Sequence, residues 1–168
     1  MARAGVPPHV GSMRIGIVSD THDRVLATLH AALSGVDEVL HAGDIASPDA
    51  LAEIETIAPV IAVAGNMDDR ALAERLPKEL VVERSGVRIA LVHGHRIGHA
   101  SVDDLAERFG GHGVDLVVWG HIHEPVSEER GGVRYFNPGT AGGVGAPATC
   151  GLLTIERGRF RIEHLDLS

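Results

Sequence analysis

Apolar and polar residues fall in blocks along this chain, and in its first half the blocks repeat as strand, loop and helix. Residues 14–18 form a short run rich in β-branched side chains, and residues 25–33 then place apolar side chains at helical spacing. Residues 37–40 open a second cycle: Ser47 is a good N-cap, Pro48 suits a first helical turn, and Leu51, Ile54 and Ile57 make an apolar stripe. A third cycle runs from residues 60–64 into a helix over 70–76. Strands separated by helical segments of about ten residues imply parallel βαβ units, whose ligands gather beyond the carboxyl ends of the strands.

After Pro77 the pattern changes. Residues 79–84 and 87–92 flank Ser85-Gly86, which predicts a hairpin with a two-residue connection. Residues 102–109 read as a helix and 115–119 as an apolar strand. Residues 133–136, 150–156 and 159–165 continue as strands, with Arg157-Gly158 as the last turn. The predicted fold is a four-layer α/β arrangement, two facing mixed β-sheets sandwiched between helices. Residues 1–12, with Gly5, Pro7, Pro8 and Gly11, carry no periodic signal and read as a disordered extension, leaving residues 13–168 as a single domain.

Composition narrows the function. A formal charge of -8, from 15 basic and 23 acidic residues, argues against nonspecific nucleic-acid binding, which needs a cationic face. Aromatic residues are only 3%, so the core must be aliphatic and stacking platforms for single strands are scarce. The lone cysteine, Cys150, cannot form an internal disulfide and reads as a buried thiol. No run approaches the roughly 18 apolar residues of a membrane span, and the first dozen residues lack a secretion signal, so a cytoplasmic location and no membrane partner are expected. The compositional anomaly is the 11 histidines.

Position separates the ordinary histidines from the others. Five polar islands follow apolar runs: Asp20-Thr21-His22, Gly43-Asp44, Gly65-Asn66-Met67-Asp68, His93-Gly94-His95 and Gly120-His121-Ile122-His123. In extended chain, residues two apart point to one side, so Asp20 with His22 and His121 with His123 can each offer two ligands to one place. Mixed carboxylate and imidazole ligands suit manganese, iron, nickel or zinc. Asp44 has two oxygens and can bridge a pair of cations, and Asn66 adds a neutral carbonyl oxygen. Two divalent cations against Asp20, Asp44 and one hydroxide leave about one excess positive charge, suited to an anionic phosphate ester. Such a pair lowers the pKa of bridging water for in-line attack, so no side-chain nucleophile is required.

The ordered set resembles the calcineurin-like metallophosphoesterase superfamily, in particular its small bacterial and archaeal phosphodiesterase branch, over essentially all of residues 13–168. The resemblance implies two divalent metal ions, manganese first among them with nickel, iron or zinc as the others. Asp20, His22, Asp44 and His123 would hold one, and Asp44, Asn66, His93 and His121 the other, with Asp44 bridging. Asp44, Asn66 and His93 are assigned a catalytic role as well. The implied activity is hydrolysis of a small phosphate ester or nucleotide by a metal-bridging hydroxide, with a homo-oligomer as a further expectation and no nucleic-acid scaffold binding. Asn137-Pro138-Gly139-Thr140 looks like the turn this branch places after its final motif. One departure stands out: many members carry a histidine directly after the asparagine, where it can protonate a leaving group, and this chain has Met67.

Other readings are weaker. The retromer complex contains a subunit of the same fold that serves as an interaction scaffold, but it resembles a relative that has lost part of the histidine set. A metallo-β-lactamase-like cluster at His93, His95 and His99 lacks the usual aspartate, with Gly98 in its place, and no Gly-x-Ser-x-Gly elbow occurs. His41 reads as a packed histidine, His95 as a neighbour of the ligands, and Asp68 as the cap of the following helix. Arg96 is a candidate grip on a phosphate oxygen.

Overall fold

The computed structural model describes residues 11–168. The part of the expected extension up to residue 10 lies outside the described residues, and Ser12 already belongs to the first strand. In chain order the elements are β1 (Ser12–Val18), α1 (Ala27–Ala32), β2 (Glu38–His41), α2 (Pro48–Glu55), β3 (Val60–Ala62), α3 (Arg70–Arg75), β4 (Glu79–Arg84), β5 (Val87–Val92), α4 (Val102–Phe109), β6 (Leu116–Trp119), β7 (Pro125–Arg130), β8 (Val133–Pro138), β9 (Thr149–Glu156) and β10 (Arg159–Asp166).

They build two five-stranded sheets, ordered β10-β9-β1-β2-β3 and β4-β5-β6-β8-β7. The first sheet runs parallel through β1–β2–β3, with β3 at its edge and the β9–β10 hairpin added antiparallel on β1; the second runs parallel through β5–β6–β8, with β4 and β7 added antiparallel at its edges. The central strands are buried on both faces, which is why they read as continuous apolar runs. Along β5, Val87, Ile89 and Leu91 point between the sheets while Ala90 and Val92 point outward. Ile15 and Ile17 of β1 meet the inner set from the other sheet. Leu29, Leu51, Ile54 and Leu72 of α1, α2 and α3 cover one outer face, and Leu105 and Phe109 of α4 cover the other. Gly16 faces α1, where an added Cβ would sit 2.7 Å from Leu33 Cδ1.

Local signals account for the helix starts. Ser47 accepts from the Ala50 amide at 3.2 Å with Pro48 in the first turn, and Ser101 with Asp104 closes a reciprocal capping box. Asp69, rather than Asp68, caps α3 by accepting from Leu72 N at 2.9 Å. The strand β7 has no counterpart in the periodicity, because it is an edge strand in which only Val126 and Glu128 are half-buried, and one of these is charged. Gly131-Gly132, its two-residue turn into β8, is the signal that marks it.

At the end of the sandwich where β2 begins and β4 ends, Arg84 grips Glu38 through two 2.8 Å bonds and ties one sheet to the other. Cys150 is fully buried, and burial pushes its thiol up to about 12. No helix among the described residues is long and apolar enough to cross a membrane.

Candidate metal centre

All seven expected ligands stand in loops at the carboxyl ends of β1, β2, β3, β5 and β6, where the parallel strands of both sheets terminate. They do not reach it from extended chain. Among the described residues ten non-glycine positions have positive φ, and five of them are Asp20, His22, Asp44, His121 and His123. Left-handed backbone costs such residues on the order of 1 kcal/mol each, so surrounding bonds must hold it. Asp20 N donates to Gly43 O and His22 N to Asp44 O, both at 3.0 Å, and Gly142 N donates to Asp20 O at 3.3 Å. Side chains at Gly65 or Gly120 would collide with Asp44 and with Ser19 and Asp20 respectively, which explains the glycine before each of those ligands.

The ligand atoms form two overlapping groups, Asp20 with His22 and His123, and Asp20 with Asp44 and His93. His123 Nε2 lies 3.2 Å from Asp20 Oδ1 and 3.2 Å from His22 Nε2. His93 Nε2 lies 3.2 Å from Asp44 Oδ2 and 3.0 Å from Asn66 Oδ1. Two donors bound to one ion at about 2.1 Å stand roughly 3.0–3.4 Å apart, so these separations match a coordination edge. Asp44 reaches both histidine sets, since its Oδ2 is also 3.7 Å from His22 Nε2. Its Oδ1 accepts the Met67 amide at 2.7 Å, leaving a single oxygen for a bridging role. Asp20 belongs to both groups, a sharing that the sequence does not show. His121 stands outside both: its amide donates to Asp20 Oδ2 at 3.0 Å, while its exposed ring lies 5.2 Å from that of His93.

The donor chemistry fits a cation. His93 Nδ1 donates to the Ala42 carbonyl at 2.7 Å and His123 Nδ1 to the Val144 carbonyl at 2.8 Å. In its neutral form each ring is thereby fixed with an Nε2 lone pair facing carboxylate oxygens. Asp20 Oδ2 accepts from Ser19 Oγ at 2.5 Å, whereas its buried Oδ1 has no donor among the described residues. Lone pairs crowding an unsatisfied buried oxygen are costly unless something positive lies between them.

The titration shifts follow the same geometry. Burial pushes the Asp44 carboxyl up, but the hydrogen bond and charge of His93 and the Met67 amide outweigh it and hold it down at about 2. Burial pulls the His93 imidazolium down, yet Asp44 and Asp20 raise it above the ordinary histidine value. When protonated, His93 places a positive charge between Asp44 and Asp20. His95 and His121 are lowered, by burial first and then by the charge of His93.

Supporting residues complete the picture. His41 is fully buried; it accepts from Gly43 N and bonds Thr21 Oγ1, both at 3.1 Å, and burial followed by His93 lowers it to about 3. Asp68 ties two ligand loops together by accepting from Gly65 N at 2.6 Å and Ala46 N at 2.8 Å. Thr140 Oγ1 donates to Asp20 O at 2.8 Å and Asn137 Nδ2 to Gly120 O at 2.9 Å, so the turn after β8 braces the Asp20 and His121 loops. Ser19, Ala42 and Val144 were missed by motif reasoning, and the latter two act through carbonyls that no residue type signals.

Fold and site together define a class: facing mixed sheets with an oxygen-and-nitrogen cation cage at the carboxyl ends of the parallel strands. A family model described as the calcineurin-like phosphoesterase superfamily domain matches residues 13–158, and the chain belongs to that superfamily. A probable metallophosphoesterase of Methanothermobacter thermautotrophicus is 38% identical over 133 residues, covering 76% of this chain and 77% of its own length. A phosphodiesterase of Methanocaldococcus jannaschii is 34% identical over 168 residues, covering 89% of this chain and 97% of its own. A crystal structure of a Vps29 single mutant from Entamoeba histolytica matches with a TM-score of 0.78 over 92% of this chain and 99% of that one; at 23% identity the likeness is one of fold.

Proposed function

We propose that this chain is a dinuclear metal-dependent phosphodiesterase that hydrolyses a small phosphate ester or nucleotide. The observation that carries the reading is the cage of acceptors around Asp20 Oδ1, whose orphaned oxygen faces the Nε2 lone pair of His123. Asp20, His22, Asp44 and His123 would hold one divalent ion, and Asp44, Asn66 and His93 the other, with Asp20 adjoining both groups and His121 joining the second through a turn of its exposed ring. Such ions would lower the pKa of a bound water toward neutrality and offer positive charge to the phosphate oxygens.

The chain's own residues supply position. The Ala42 and Val144 carbonyls keep His93 and His123 aimed at the centre. The Met67 amide fixes the Asp44 carboxylate so that Oδ2 faces inward. No titrating side chain stands at position 67, where Met67 is 59% exposed, so departure of the alcohol depends on its own acidity. Manganese is the favoured ion, and cytoplasm the favoured location.

The test is elemental analysis of purified protein together with turnover of bis(4-nitrophenyl) phosphate after loading with manganese, nickel, iron or zinc. Two equivalents of metal and metal-dependent turnover are expected. An interaction scaffold is the second reading, favoured by the exposed apolar Met67 beside the centre; metal uptake without turnover, coupled to capture of a protein partner, would select it.

A further inference from the structure

We infer that Lys78 and Arg96 form a cationic clamp beside the metal centre, so that the preferred ester carries a second anionic group, phosphate or carboxylate, close to the scissile phosphate. The inference rests on the phosphodiesterase reading and adds a substrate class to it.

Register supplies the placement. β4 and β5 pair antiparallel with Glu79 opposite Val92, and one further step sets Lys78 opposite His93. Residues directly opposite share a sheet face, with Cβ atoms roughly 4.5–5.5 Å apart. Lys78 therefore stands on the face that carries His93 toward the ligands, while the Glu79 carboxylate is paired with Arg108 of α4. The Pro77 carbonyl accepts from Ala64 N at 2.8 Å, which fastens this segment against the loop that bears Asn66.

Arg96 approaches from the β5 loop. Its Nε donates to His95 Nε2 at 3.3 Å, and the His95 ring lies 5.3 Å from His93 and 6.2 Å from His121. That bond assigns the His95 proton to Nδ1, a buried donor with no acceptor among the described residues. Lys78, His93, His95 and Arg96 border one cavity of about 60 Å³ together with Val92, Gly94, Ile97 and Glu79, whose carboxylate is engaged by Arg108. That is room for one compact oxyanion.

Charge points the same way. Among the described residues neither Lys78 nor Arg96 is paired with a carboxylate, in a chain whose formal charge is -8. A guanidinium fork and an ammonium point charge on two sides of such a space suit phosphate or carboxylate oxygens. Both groups are solvent-facing, so their joint contribution to affinity is about tenfold, near 1.4 kcal/mol.

The experiment uses metal-loaded full-length protein. Methylphosphonate and phosphonoacetate, which differ by a carboxylate, are compared by calorimetry. In parallel, 4-nitrophenyl alkyl phosphates with a methyl-ended or carboxylate-ended arm are compared by KM and kcat. Phosphonoacetate is expected to bind about tenfold tighter, and the carboxylate arm to lower KM with kcat little changed. Lys78→Ala combined with Arg96→Ala should bring both ratios to within about twofold of unity. Arg96→Lys should restore part of the preference, and Arg161→Ala, at the opposite end of the sandwich, should preserve it. Equal binding of the two phosphonates, or ratios unmoved by the double substitution, would overturn the clamp. Preference for phosphonoacetate without any turnover would uphold the clamp and reject the diesterase; turnover without the preference would do the reverse.

Discussion

Replacing Asp20 by asparagine should separate a carboxylate kept for a cation from one kept for the fold. In the metal-free protein, Asp20 Oδ2 accepts from Ser19 Oγ at 2.5 Å and His121 N at 3.0 Å, and Oδ1 faces the His123 Nε2 lone pair at 3.2 Å. An asparagine keeps an oxygen for the two donors and turns its NH₂ toward His123, converting a lone-pair conflict into a hydrogen bond. Weakening two charge-assisted bonds costs about 1 kcal/mol each, the new bond returns about 1 kcal/mol, and relief of a buried charge returns more. Asp20→Asn is therefore expected to match or exceed the parent's Tm in chelator, by up to about 4 °C for about 1 kcal/mol. With metal at about 100 times its Kd, the parent gains about 2.7 kcal/mol, or roughly 5–11 °C. The variant should gain almost none of this, because Asp20 belongs to both ligand groups. Thermal melts in EDTA and across a manganese titration read both effects. A variant that melts well below the parent in EDTA yet shows the full metal-induced rise would refute the reasoning and make Asp20 a structural acceptor.

Three further outcomes are expected. Met67→His should speed hydrolysis of alkyl esters relative to nitrophenyl esters by about tenfold or more, since it restores a proton donor; an unchanged ratio of the two rates counts against a missing general acid. Arg84→Ala strands Glu38, which is only 8% exposed, and should lower stability by about 1–3 kcal/mol in urea melts, with no loss of metal affinity. The raised pKa of His93 means that its proton stabilises the metal-free protein fully below the unfolded value of 6.5, an advantage lost as pH rises through the folded pKa. Metal must displace that proton, so affinity should rise with pH across that window, and calorimetry in buffers of different ionisation enthalpy should detect proton release; pH-independent affinity contradicts this.

Much of the architecture was legible because burial on both faces leaves apolar runs such as 89–92 and 116–119 that polar loops cannot imitate. The ligand types were legible for a related reason: Asp, Asn and His at successive strand ends carry chemistry that side-chain identity alone displays. What stayed hidden depends on backbone or on distance. The strand β7 half-buries one face with only Val126 and the charged Glu128, so alternation tells little. The left-handed turns at Asp20, His22, His121 and His123 replace the extended geometry that spacing suggests. Asp68 and Asp69 are equivalent as capping candidates in sequence, and only the approach of the Ala46 loop decides between them. The sharing of Asp20 between ligand groups, and the position of His121 outside them, arise from contacts across about a hundred residues.

The ligands come from both sheets, and in chain order from both halves. Asp20, His22, Asp44 and Asn66 precede β4, whereas His93, His121 and His123 follow β5, and the Val144 carbonyl that aims His123 comes later still. No single βαβ unit can therefore capture an ion in the arrangement proposed. During synthesis, metal uptake would lag behind the emergence of most of the polypeptide, and would report that the two halves have docked rather than help either one to form.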